Sequence, residues 1–204
     1  MKKFELTTDS IKENGVTLYR IKALIDFEDV KAGDLGGYVE KEENLSQSGN
    51  AWVSGNACVR GNAWVFGDAC VYGNACVYDN VWVYGNARVR GNARVSGDAC
   101  VYDNVCVCGD AQVCGDAQVC VDAYVYGDAL IFSNADYIFL KGFGSYNRST
   151  TMFRAKGGNI CVSCGCFSGT LEEFDSKVKE THGNNKFARE YLALVEAAKI
   201  HFEV

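Results

Sequence analysis

The sequence predicts a mainly β protein: a parallel β-helix of six-residue repeats, closed at each end by a segment without the repeat. Three observations carry this. A unit reading [N/D]-A-x-V-x-G recurs without interruption from residue 50 to residue 133. A period of six suits neither an α-helix nor a plain hairpin ladder, and it is the period of stacked β-helix coils. Hydrophobic residues make up 48% of the 204 positions, enough for a continuous core.

The N-terminal stretch FELTTDSIKENGVTLYRIKALIDF reads as a hairpin turning at Glu13-Asn14-Gly15, since Asn-Gly favours the tight two-residue turn. It is expected to cover the first coil, whose backbone groups would otherwise form an open edge. Residues 1–32 are assigned to this cap, 33–138 to the β-helix and 139–204 to a C-terminal module.

Within the repeat each slot has a physical role. Val53, Val59, Val65, Val71 and their successors to Val125, then Ile131, hold the same slot. In a short x-V-x strand the valine faces inward and both neighbours face out. Gly supplies a turn with positive φ, and Asn or Asp follows because both tolerate left-handed backbone. Alanine fills the narrow corner. Three units close one triangular coil, which gives five to six coils about 4.8 Å apart.

Outward residues 18 apart then form columns. One face carries Trp64, Trp82, Phe66, Tyr84 and Tyr102. A second carries Trp52, Tyr72, Arg88, Arg90, Cys106, Cys108, Tyr124 and Tyr126, and the third Cys58, Cys76, Tyr78, Arg60 and Arg94. An exposed aromatic ladder marks a contact surface. A subunit interface is one reading, and a groove stacking a flat ligand beside Arg88, Arg90 or Arg94 is another. Cys58 and Cys76 are column neighbours, too few for a metal site by themselves.

After Ile138 the period ends. IFLKGFGSYNRSTTMFRAKGGNICVSCGCFSG suggests two or three strands with a turn at Lys156-Gly157-Gly158-Asn159. TLEEFDSKVKETHG begins with a capping box, Thr170 and Glu173, and stops at Gly183. KFAREYLALVEAAKIHF forms a second helix with Phe187, Tyr191, Leu194, Val195 and Ala198 on one stripe.

The spacing of Val53 and Ala57, and of Val59 and Ala63, resembles that of the hexapeptide-repeat, left-handed β-helix family over residues 33 to 136. The left hand and a trimeric assembly are what the resemblance implies. The lead-in, including Asp26, Phe27, Asp29, Gly36, Gly37, Leu45, Ser46 and Gln47, resembles uncharacterised bacterial and prophage proteins of this kind. The run GSYNRSTTMFRAKGGNICVSCGCFSGTLEEF resembles their C-terminal module. Enzymes of the family transfer acyl groups with a histidine base and a loop that interrupts the coils. Here the coils are uninterrupted, and His182 and His201 both lie outside them. No catalytic residue, cofactor or metal ligand is therefore assigned, and the chain is expected not to be an enzyme.

A net charge of -6 argues against broad nucleic-acid binding. No segment approaches the roughly 18 consecutive apolar residues of a membrane span, and no export signal follows the N-terminal lysines. With 11 cysteines, a reducing cytoplasm is the expected location. Between Asp136 and Glu172 no acidic residue occurs, yet Lys141, Arg148, Arg154 and Lys156 do. Ser145, Asn147, Ser149, Thr150 and Thr151 lie among them, all donors suited to anionic oxygens. The expected ligand-binding set is Ser145, Asn147, Arg148, Thr150, Thr151, Arg154 and Lys156, with Arg88 and Arg90 at an aromatic face. The other reading of this island is a basic surface that docks the acidic helix TLEEFDSKVKE. Cys161, Cys164 and Cys166 form C-x-x-C-x-C, which either holds a metal or is a strand with small packed residues.

The expected function is that of a homo-oligomer, of phage or prophage character, which sequesters a small anionic ligand such as a signalling nucleotide against host defence. The alternatives are a structural or host-protein-binding module and, third, an acyltransferase.

Overall fold

The valine slot builds the shaft. In the computed structural model, which describes residues 2–204, each slot valine from Val53 to Val107 pairs in parallel register with the valine 18 residues on. Val53, Val71, Val89, Val107 and Val125 form one such column, and all five are fully buried. Each contributes roughly 1.5–3 kcal/mol by leaving water.

Among the described residues, β1 (Phe4–Glu13), β2 (Val16–Ala23) and β3 (Leu35–Val39) precede fourteen two-residue strands, β4 (Trp52–Val53) to β17 (Leu130–Ile131). They form a three-sided parallel β-solenoid of about five turns with sheets β4-β7-β10-β13-β16, β6-β9-β12-β15 and β3-β5-β8-β11-β14-β17. The corners are zipped by side chains. Asn56 donates to Asn74, Asn74 to Asn92 and Asn92 to Asp110, at 3.3, 3.1 and 2.9 Å. The mixture of Asn with Asp gives each rung a donor and an acceptor where Asp alone would stack like charges.

The N-terminal hairpin continues the third sheet, because β2 pairs antiparallel with β3. Its turn is the expected one, with Asn14 and Gly15 at φ 50° and 84°. The hairpin does more than cover an edge. Register shifts in β1 and β2 bend it, as bulges do, and its distal half lies over the outer wall. There Ile11, Val16 and Leu18 pack on Tyr38, Cys58 and Cys76. Trp52 points outward as expected but is covered by Phe4 and Phe27.

Beyond the last coil, four strands rather than two or three form an antiparallel sheet: β18 (Tyr137–Phe143), β19 (Arg148–Arg154), β20 (Ile160–Cys164) and β21 (Phe167–Thr170). The two helices follow as α1 (Leu171–His182) and α2 (Lys186–Phe202). Thr170 and Glu173 complete the capping box. Strand alternation makes this sheet the middle of three layers. Phe153 joins the shaft core, while Met152 joins the helix-side core with Phe174, Tyr191 and Val195. The Thr151 hydroxyl accepts from the Tyr124 amide at 3.1 Å, and the Lys156 amide donates to the Asp128 carbonyl at 2.9 Å. These bonds pair groups that the last coil would leave open. No helix among the described residues is long and apolar enough to cross a membrane.

Candidate functional site

Alternation along β19 divides the basic island. Even-numbered residues face the helices and odd-numbered ones the solenoid, and seven extended residues span roughly 20 Å. Arg148 and Arg154 therefore stand at opposite ends. Arg154 is occupied: its Nε lies 3.2 Å from Asp136, and its Nη2 donates to the Phe202 carbonyl at 3.0 Å. Lys141 pairs with Asp122 at 2.6 Å. Thr150 is fully buried and donates to Cys164 Sγ, and the Thr151 hydroxyl is used on Tyr124. Lys156 is exposed at the Arg154 end, and Asn147 holds the β18–β19 turn at φ 49°. The island thus contributes Arg148 and Ser145 to one place and sends Arg154 and Lys156 to another. No ion pair joins it to α1 among the described residues, since the charges of that helix pair with each other, Lys179 with Asp175 and Lys177 with Glu180.

Arg148 points into a cleft of about 360 Å³ between the sheet and the helices. Its guanidinium sits 4.9 Å from the Tyr146 ring and runs across Gly165, where a Cβ would collide with it. A glycine in the β20–β21 turn is what gives this arginine its path. Lys177, Thr181 and His182 enter from α1, and Phe167, Phe174 and Tyr191 form the apolar wall. Phe174 and Tyr191 meet edge to face at 5.6 Å, and His182 lies 5.9 Å from the Tyr191 ring. Burial first, and then hydrogen bonding with Cys164, pushes the Tyr191 hydroxyl up to about 12, so it stays protonated at neutral pH. Arg148, His182 and Lys177, the last by leaving its exposed pair with Glu180, stand with four aromatic rings around a cleft of ordinary ligand size that can hold a flat anionic molecule. Lys177 and His182 were not singled out for this site, because they lie in a helix remote in sequence from Arg148.

A second groove lies on the solenoid wall, lined by Tyr72, Arg88, Arg90, Cys106 and Tyr124. Arg88 is exposed, and Arg90 Nη2 donates to the Tyr124 hydroxyl at 3.5 Å. Hydrogen bonding from Cys106, and further from Tyr124 and Arg90, holds the Cys108 thiol at about 6, while Cys106 is pushed up. On the remaining face, the Phe66, Tyr84 and Tyr102 rings stack at 4.8 and 5.0 Å. Trp64 and Trp82 beside them are 39% and 50% exposed.

The C-x-x-C-x-C cysteines do not converge. Cys161 packs toward the shaft and Cys164 toward the helices, while Cys166 is exposed in the turn. The other histidine, His201, meets the Ala135 carbonyl at 2.9 Å, away from the cleft.

Comparison with known proteins agrees with the repeat. A family model described as "YdcK Beta solenoid repeat" matches residues 83–97. Over 50 residues the chain is 44% identical to a protein of Escherichia coli (strain K12) named "Uncharacterized acetyltransferase YdcK". That match takes in 24% of this chain and 15% of the relative's length. Both findings support a repeat β-helix.

Proposed function

We propose that this protein is a non-enzymatic, homo-oligomeric binding protein that captures a small anionic ligand with a flat ring, of the signalling-nucleotide class. The observation that carries this is the convergence of Arg148, Lys177 and His182 on an aromatic-walled cleft of about 360 Å³. Phosphate oxygens would take the charged donors, and the ring would stack on Tyr146 or Tyr191. In a phage-encoded chain, such capture would remove a host defence signal.

The test is a thermal-shift and native mass spectrometry screen against mononucleotides, cyclic nucleotides and coenzyme A. A binder at 100 times its dissociation constant stabilises the fold by about 2.7 kcal/mol. Arg148→Ala is expected to weaken it by about 1.5–3 kcal/mol, the value of a hydrogen bond to a charged group, with the unliganded fold intact. Absence of any mass adduct or shift across the panel would rule the reading out.

Two observations favour a second reading, acetyl transfer. The Escherichia coli relative carries that name, and one of the two histidines of this chain lines the cleft beside Cys164 and Cys166. Turnover of acetyl coenzyme A that disappears in His182→Ala would establish it in place of simple capture.

A further inference from the structure

Parallel, in-register pairing places Cys58 directly beside Cys76 on the outer wall of the third sheet. By themselves these are two thiols on a β surface. The bent hairpin changes their surroundings, because β1 ends at Glu13, immediately before the Asn14-Gly15 turn, and the tip of the hairpin rests on this wall. One carboxylate oxygen of Glu13 and both sulfurs lie within 4.8 Å of one another. The Cys76 sulfur is 3.8 Å from Glu13 Oε1. Cys58 is buried and the other two are half-buried, under Ile11, Val16 and Leu18.

The chemistry of this donor set is specific. Two sulfurs exclude the hard cations magnesium and calcium, which take oxygen ligands. Two thiolates with one carboxylate suit zinc, which accepts sulfur at about 2.3 Å and oxygen at about 2.0–2.2 Å. Tetrahedral zinc sets its sulfurs about 3.8 Å apart, a spacing within the present cluster. The three residues come from separate segments of the chain, so a bound ion would tie the hairpin to two successive coils. We propose that Glu13, Cys58 and Cys76 form a zinc site, with water as the fourth ligand, that staples the hairpin to the solenoid wall.

Cobalt(II) titration of the reduced, metal-stripped full chain tests this. One equivalent is expected to bind with a thiolate-to-cobalt charge-transfer band, which zinc then displaces. Cys58→Ser with Cys76→Ser abolishes the band. Cys106→Ser with Cys108→Ser leaves it unchanged. Glu13→Gln, a near-isosteric change at the half-buried hairpin tip, weakens binding on the order of tenfold, about 1.4 kcal/mol. Zinc should also slow hydrogen exchange of the hairpin amides in the parent protein and not in Glu13→Gln. The proposal is overturned by the absence of the band, by its survival in the Cys58/Cys76 variant, or by its loss in the Cys106/Cys108 variant.

Discussion

Three non-glycine residues hold left-handed backbone in the glycine slot of the repeat: Asp79, Asp103 and Val121, with φ of 65°, 62° and 67°. The two aspartates are compensated, since their Oδ2 atoms accept from the amides of Gly97 and Val121 one coil further on, at 3.1 and 3.2 Å. Val121 has no polar atom to offer, and a β-branched residue in left-handed backbone is strained by about 1–2 kcal/mol. Val121→Gly is expected to raise stability by about 1 kcal/mol after the added chain entropy of glycine, read as a higher urea midpoint. An unchanged or lower midpoint contradicts this. Lys3 is a second local exception. It is 2% exposed, and its ammonium donates to the Ala51 and Gly49 carbonyls at 2.8 and 3.3 Å. Burial lowers its pKa from 10.5 to about 8, against the opposing pull of Asp68 and Cys70. Between those two pH values the unfolded chain holds the extra proton, so stability rises with pH across that window. Below it the burial penalty is fully present. The rise amounts to about 3 kcal/mol, and the difference between parent and Lys3→Met unfolding curves should show it. A flat difference across that range would mean that Lys3 is not buried in solution.

Helix ends were legible in the sequence because capping is local: Thr170, Glu173 and Gly183 do what their types and spacing suggest. The fourth strand of the C-terminal sheet was not, because Phe167–Thr170 is short and contains a glycine, and only its pairing with β20 makes it a strand. Element geometry also explains why the basic island divides. Closeness in sequence suggested one site, whereas extension and alternation along β19 separate Arg148 from Arg154. The same alternation makes Phe153 the stopper of the shaft, fully buried and edge-on to Tyr126 at 5.2 Å. Phe153→Ala should cost about 3–5 kcal/mol, seen in the denaturation midpoint. If the loss is well under this, the C-terminal sheet is not seated on the last coil as described.

Rigidity of the whole prism makes its outer walls a display surface. The N-terminal segment covers Trp52 and the Cys58 wall and the C-terminal module covers the last coil, so the Trp64, Trp82, Phe66, Tyr84, Tyr102 face is left uncovered. Apolar surface of this kind is usually buried in a subunit contact, and the proposed assembly uses it. Trp64→Glu with Trp82→Glu is expected to convert the proposed oligomer to monomers in light scattering while the circular dichroism spectrum is retained. Persistence of the oligomer would assign the contact to another wall.

The sequence alone determined the solenoid. A side chain that must face inward every sixth residue admits one stacking register, so the valine columns, the outward aromatic columns and the Asn-Asp corners were all readable from spacing. Tertiary structure alone decided where the ends of the chain fold back. Nothing in the spacing of Glu13 brings it to Cys58 and Cys76, and nothing in α1 announces that Lys177 and His182 meet Arg148. Those encounters depend on how a bent hairpin and a helix pair dock on a finished prism. Such docking is set by shape and burial between distant segments, and no local period encodes it.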